Sequence, residues 1–223
     1  MNNKKIIGIL GLGIFGRTIT QELSKYDCEV IAIDNNPVNV QEIADNVTSA
    51  IVGDFTDIEL MKSVGIPNCD IVIIATGTNL ESAVLAVMQL KRLGIKQIIA
   101  KARSESFEDV LYEVGVDAVV APERDSGFRL ASKILRNHID EVLRLDENTS
   151  IIEFDIPRDW IGKTVMELDL RRKYELNLIG TREDRGELLS SVQPTEPLEA
   201  NLILVAIASS HVFEKYDYLG YFN

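Results

Sequence analysis

Six short runs of β-branched and aliphatic residues, 6–10, 29–33, 50–52, 70–75, 97–101 and 118–120, alternate with helical patterns through the first half of the chain. Nearly every run is apolar on both faces, the pattern of strands in a parallel sheet that helices cover on both sides. Strict strand-helix alternation over six strands predicts an α/β fold, a doubly wound parallel sheet of Rossmann type. Ligand is expected at the carboxyl ends of its strands, near the point where strand order reverses. The helix ends are readable too. Asn36 before Pro37 reads as cap and first-turn proline, Thr56 with Glu59 and Thr78 with Glu81 as capping boxes, and Gly65, Gly94 and Gly115 as stops.

After residue 120 the rhythm changes. Residues 122–125 read as a turn and 127–143 as a longer amphipathic helix, with Leu130, Ile134, Leu135, His138 and Val142 on one side. The polar stretch 145–150 is the candidate junction. Beyond it the pattern gives a strand over 151–156, a helix from about 163 to 174, and strands over 176–182, 188–192 and 201–206. Asp184, Arg185 and Gly186 form a hairpin-turn signal, with Pro194 and Pro197 as breakers. The expected organisation is a nucleotide-binding domain with its linking helix over 1–138 and a small α+β domain over 139–223.

The first strand runs into Gly11, Leu12, Gly13, Ile14, Phe15 and Gly16, and a helix follows. About 20 residues on, the second strand ends in Asp34, which completes the context that a bare glycine pattern lacks. Gly11 permits the tight turn, Gly13 admits a pyrophosphate against backbone N–H groups, and Gly16 lets helix and sheet pack closely. The helix N-terminus adds partial positive charge. Asp34 is placed to accept the ribose hydroxyls and to repel a 2′-phosphate, which favours NAD(H), ATP, ADP or AMP over NADP. Asn35 beside it, and Gly53, Asp54 and Phe55 after the third strand, are candidate contacts to the adenosine half; Asp54 reads equally well as a turn residue. Thr76 and Gly77 end the fourth strand close to the phosphates. Arg17, Lys101 and Arg103 can offset phosphate charge from the same sheet edge, or stand as solvated surface cations.

The net charge of −12, from 23 basic and 35 acidic side chains, repels nucleic acid and anionic membrane surfaces. The apolar stretch 71–90 is not a membrane span, because polar residues interrupt it where a spanning helix stays apolar over about 20 residues. Cys28 and Cys69 lack metal-ligand spacing and read as reduced thiols. A dehydrogenase needs a proton donor beside its cofactor, yet His138 and His211 have no Glu or Asp at a sequence spacing that suggests a pair, and no nucleophile elbow or His-rich metal cluster occurs. No catalytic residue is assigned. A small NAD-dependent oxidoreductase remains the alternative from the enzyme class.

In this order, several segments resemble one family. They are Gly8-Ile9-Leu10-Gly11-Leu12-Gly13 with Phe15-Gly16, Val30-Ile31-Ala32-Ile33-Asp34, Gly53-Asp54-Phe55-Thr56-Asp57, Ala100-Lys101-Ala102-Arg103 and Ala121-Pro122-Glu123-Arg124-Asp125. The family is the cytosolic regulatory subunits of Trk/Ktr-type bacterial potassium transporters, whose halves are named RCK or TrkA-N and TrkA-C. The resemblance implies a cytoplasmic homo-oligomer, dimers assembled into a ring, that sits at the inner face of the cell membrane on a potassium-translocating subunit and gates it in response to ATP, ADP or NAD(H). It also implies that Glu123 contacts the nucleotide site and helps hold a divalent cation. Some relatives bind cyclic di-AMP in the small domain, where Arg171, Asn177, Leu178 and Pro194 match; the same stretch also reads as an ordinary helix-turn-strand connection. ATP-gated relatives often carry arginine where this chain has Ile14, which turns the expectation toward NAD(H), ADP or AMP. A free-standing cyclic di-AMP or nucleotide sensor is the other alternative.

Overall fold

The computed structural model describes residues 4–77, 79–135, 139–146, 148–183, 188–190 and 193–209. The chain divides into two compact units, Met1–Asp125 and Ser126–Asn223.

In the first unit the elements run β1 (Lys5–Leu10), α1 (Ile14–Leu23), β2 (Cys28–Asp34), α2 (Pro37–Gln41), β3 (Ser49–Val52), α3 (Ile58–Ser63), β4 (Ile71–Ile74), α4 (Leu80–Arg92), β5 (Gln97–Lys101), α5 (Glu105–Val114) and β6 (Ala118–Val120). The six strands form one parallel sheet in the order β3-β2-β1-β4-β5-β6, which reverses between β1 and β4. Both faces are buried, as the doubly apolar runs require. Ile7, Ile9, Val30 and Ala32 pack with Val40 and Ile43 on one side. Leu10, Ile31, Ile33, Val72 and Ile98 pack with Leu90, Phe107 and Leu111 on the other. Two aspartates brace strand starts: the Asp70 carboxylate accepts the Ile6 N–H at 3.0 Å, and that of Asp117 accepts the Ile98 N–H at 2.7 Å.

Helix α6 (Pro122–Leu135) carries the chain across the division between the units. The second unit then holds β7 (Ile139–Arg144), β8 (Thr149–Asp155), α7 (Val165–Leu168), α8 (Leu170–Lys173), β9 (Asn177–Glu183), β10 (Leu188–Ser190) and β11 (Leu202–Ser209). Its antiparallel sheet has the order β10-β9-β11-β8-β7. One face carries the main core, although Val205 of β11, which alternates with that face, is buried as well. Ile152 and Phe154 of β8 and Leu204, Ala206 and Ala208 of β11 recur at every second residue and pack on Trp160, Leu168, Leu170 and Leu198. Trp160 sits edge-on to Phe154, with ring centroids 6.1 Å apart, and lies 4.9 Å from Tyr174.

Several expectations are corrected. Residues 122–125 are the first turn of α6 rather than a free turn, since Pro122 fits the first helical position, where no N–H is needed. The helix expected over 127–143 is described as far as Leu135, and 139–144 instead pairs antiparallel with β8. A register shift between Glu141 and Leu143 breaks the alternation that would have marked the strand. The supposed junction over 145–150 is therefore a hairpin connection, with the Leu145 N–H donating to the Thr149 carbonyl at 2.8 Å. The helix expected over 163–174 is two short helices, parted at Asp169, whose φ of 47° lies in the left-handed region. Asp57 rather than Thr56 caps α3, and Asn79 caps α4. A true capping box, missed in the sequence, joins Thr164 and Glu167 at the start of α7. The stretch 71–90 splits into β4 and α4, and among the described residues no helix is long and apolar enough to cross a membrane. Thr78, His138, His211, the 184–186 turn and the end of the 188–192 strand lie outside the described residues.

Candidate nucleotide site

The glycine loop leaves β1 at the sheet centre, beside the reversal of strand order. Its three glycines answer to different demands. Gly11 has φ +96°, and a Cβ there would lie 3.3 Å from the Thr76 backbone nitrogen. At Gly16 a Cβ would fall 2.0 Å from the Gly11 carbonyl oxygen, so the fold itself excludes a side chain. A Cβ on Gly13 meets nothing within 4 Å, and its backbone is ordinary at φ −62°. The protein's own packing does not require glycine at that position, and the backbone there is open to a close approach from outside.

The start of α1 points the same way. Helices α2, α3, α4 and α5 each have a side-chain cap, from Asn36, Asp57, Asn79 and Ser104 respectively. Helix α1 has Gly13 at its cap position, no side-chain cap bond and no acidic residue in its first turn. Its N-terminal N–H groups and the positive end of its dipole are thus left for an anion.

Asp34 is buried at 7% exposure and ties this region together. One carboxylate oxygen accepts the Leu12 N–H, and the other accepts the Asn36 N–H at 2.7 Å and the Asn39 amide at 3.4 Å. It therefore fixes the loop, a structural role beside the ribose contact expected of it. Asn36 caps α2 through the Val38 N–H, as expected. The Asp54 carboxylate accepts both the N–H and hydroxyl of Thr56, at 2.8 and 2.7 Å, which gives it the turn role that its position also suggested. Asn35 is exposed at the same sheet edge, and Phe55 packs half-buried against the core.

The cations fare differently. Arg17 is directed to α2, where it pairs with Glu42 and approaches the Asn39 side-chain oxygen at 3.4 Å. Asn39 and Glu42 were not singled out in the sequence, and no short-range spacing links them to Arg17. Lys101 lies at the loop itself. A Cβ on Gly77 would touch its stem at 3.2 Å, its ammonium is 5.5 Å from the Phe15 ring centroid, and it pairs with Glu123 at 2.5 Å. The hydrogen bond from Lys101 holds the Glu123 carboxyl below its usual range. Arg103 is exposed two residues beyond. Ile14 is 81% exposed, an aliphatic side chain standing in solvent at the mouth of the loop. Among the described residues no group of three His, Cys, Asp or Glu is placed to hold a metal ion, and Glu123 faces an ammonium instead.

In the second unit, Arg171, Asn177, Leu178 and Pro194 line one cleft of about 310 Å³ together with Val165, Leu170, Leu176 and Ile179. Apolar residues thus flank one guanidinium and one amide. The four residues named from the sequence come together there, and the aliphatic lining is what sequence spacing did not reveal.

A doubly wound parallel sheet with a glycine loop, an open helix N-terminus and an acid closing β2 defines a Rossmann-type nucleotide-binding domain. The TrkA-N domain model matches residues 7–122, and the chain belongs to that family. The chain is 36% identical over 206 residues to the Ktr system potassium uptake protein C of Bacillus subtilis (strain 168), covering 92% of this chain and 93% of that one. It is 28% identical over 216 residues to the Ktr system potassium uptake protein A of the same organism, covering 97% of both. Among solved structures, the GsuK channel bound to NAD superposes with a TM-score of 0.62 at 18% identity, over 98% of this chain and 40% of that channel chain. The chain therefore spans less than half of that channel's length, and the likeness is one of fold.

Proposed function

We propose that this chain is the regulatory subunit of a potassium uptake system, carrying no catalysis of its own and gating a membrane potassium-translocating partner according to the nucleotide in its glycine loop. The observation that carries this reading is the open backbone at Gly13 beside the uncapped α1 N-terminus, in a chain similar over 92% and 97% of its length to two Ktr potassium uptake proteins. A ligand gates only through its different affinity for two states of the assembly. Such an assembly is a homo-oligomer at the inner face of the membrane, with residues 1–138, α6 included, as the nucleotide domain and 139–223 as the regulatory one.

The ligand at the loop is an adenine nucleotide. NAD(H), ADP and AMP suit it better than ATP, because Ile14 offers no charge to a third phosphate. Asp34, buried at the end of β2 with both carboxylate oxygens engaged, disfavours the 2′-phosphate of NADP. The cleft around Arg171 and Asn177 is the cyclic di-AMP site in this reading: a guanidinium for phosphate, an amide for the adenine edge, and Leu178 and Pro194 for the base faces. Calorimetric titration with NAD, NADH, ATP, ADP, AMP, NADP and cyclic di-AMP tests both sites. Selective NADP binding, or none by any adenine nucleotide, overturns the first; silence toward cyclic di-AMP alone overturns only the second.

A further inference from the structure

Arg17 stands in the first turn of α1, yet its side chain runs toward Asp34 rather than along the glycine loop. Its guanidinium approaches the Asn39 side-chain oxygen at 3.4 Å, and the Asn39 amide nitrogen approaches an Asp34 carboxylate oxygen at 3.4 Å. A guanidinium only donates and a carboxylate only accepts, so this order fixes which way the amide faces. The arginine is separated from the expected ribose acid by the width of one amide. Nucleotide folds of this kind that accept a 2′-phosphate do so with an arginine near that position. This chain carries such an arginine and engages it elsewhere: Arg17, 25% exposed at the side chain, pairs with Glu42 at the C-terminal end of α2, which is 52% exposed.

Resting on the nucleotide reading above, we infer that Glu42 is a specificity-determining residue of this site: by holding the Arg17 guanidinium, it withholds that cation from a 2′-phosphate. Rejection of NADP then has two parts. Asp34 disfavours the 2′-phosphate directly, and Glu42 keeps Arg17 from offsetting that repulsion. With Glu42 present, the acids at this end of the site outnumber the arginine; without it, Asp34 and Arg17 balance. Glu42 touches no part of the nucleotide in this arrangement. It acts through Arg17, and because the pair is partly exposed its effect is modest.

The experiment uses two pairs of ligands that differ only by the 2′-phosphate, NAD with NADP and AMP with adenosine 2′,5′-bisphosphate, titrated calorimetrically into the full chain and its variants. Glu42→Gln is expected to tighten NADP and adenosine 2′,5′-bisphosphate by about fivefold and to leave NAD and AMP within about twofold. Unchanged NAD binding also shows that the site of the variant is formed. Glu42→Ala, a second way to remove the charge, is expected to give the same gain. Glu22→Gln removes an equal charge from the far end of α1, where Glu22 pairs with Lys25, and no ligand is expected to gain. Adding Arg17→Gln to Glu42→Gln restores the original charge balance and is expected to cancel the gain to within about twofold. No gain for the 2′-phosphorylated ligands in either Glu42 variant, an equal gain for NAD and AMP, an equal gain in Glu22→Gln, or a gain that survives Arg17→Gln each overturns the inference. If the unaltered chain binds no adenine nucleotide, or selects NADP, the functional reading beneath it fails as well.

Discussion

The two units solve the burial of a sheet in opposite ways. In the first, strands such as β2 present Val30 and Ala32 to one hydrophobic cluster and Ile31 and Ile33 to another, so consecutive residues are buried on both faces and helices must come from both sides. In the second, β8 alternates in burial, with Ile152 and Phe154 turned toward the short helices between half-buried neighbours. A two-faced parallel sheet gathers its loops at one edge, where backbone N–H groups recognise phosphate. The antiparallel sheet has no such edge, and its candidate cleft is built from side chains: Arg171, Asn177, Leu178 and Pro194. The first site is limited by where glycine is tolerated, the second by which side chains face inward.

That contrast can be broken most forcefully in the second unit. Phe154 is 2% exposed and carries the edge-on contact to Trp160, so Phe154→Ala is expected to remove about 3–5 kcal/mol of that unit's stability in chemical denaturation. A cost below about 1 kcal/mol would mean that the face carrying Phe154 is not what holds the unit. The next effect separates fold from ligand inside one loop. Gly16→Ala drives a Cβ into the Gly11 carbonyl, and a loss of about 2–3 kcal/mol is expected in the first unit's unfolding. Gly13→Ala meets no protein atom and should shift stability by no more than about 0.5 kcal/mol. The same change places a methyl group where the pyrophosphate would lie, and a tenfold or greater loss of NAD affinity is the expected order. Equal stability losses at the two glycines would erase the distinction.

Legibility followed the same division. The strands of the first unit, the Asn36 cap and the left-handed stops at Gly65, Gly94 and Gly115 stand where the sequence placed them, because local pattern and tertiary burial agree there. The family was equally legible. What escaped depends on partners distant in sequence. Residues 139–144 become a strand only because β8 is available to pair with them, and the irregularity near Val142 hides the period. Asp169 carries no sign of the left-handed turn that cuts one expected helix in two, since that conformation is ordinarily a glycine's. At the candidate site the residue types at the loop could be read, but their pairing could not: Arg17 turns to Glu42 across 25 positions, and Lys101 to Glu123 across 22.

The smallest expected effect is a rate that does not change, and it sharpens the comparison most. Both cysteines lie in the first unit and the second has none, so thiol labelling reports on one unit alone. Cys69 is 5% exposed, and burial pushes its thiol from an ordinary 9.0 to about 11. The folded unit therefore keeps a proton that the unfolded chain gives up. The resulting stabilisation is complete below pH 9, where both forms hold the proton, and is lost as pH rises toward 11. Only the thiolate reacts, so at pH 8 native Cys69 is doubly protected and labels through unfolding, while half-buried Cys28 is reached without it. Under these conditions Gly16→Ala should accelerate Cys69 labelling in proportion to the stability it removes. Phe154→Ala should leave that rate within about twofold, since its cost falls in the unit without cysteine. If Phe154→Ala speeds Cys69 labelling as much as Gly16→Ala does, the two units unfold as one, and the differences between their sheets describe architecture without marking a boundary of stability.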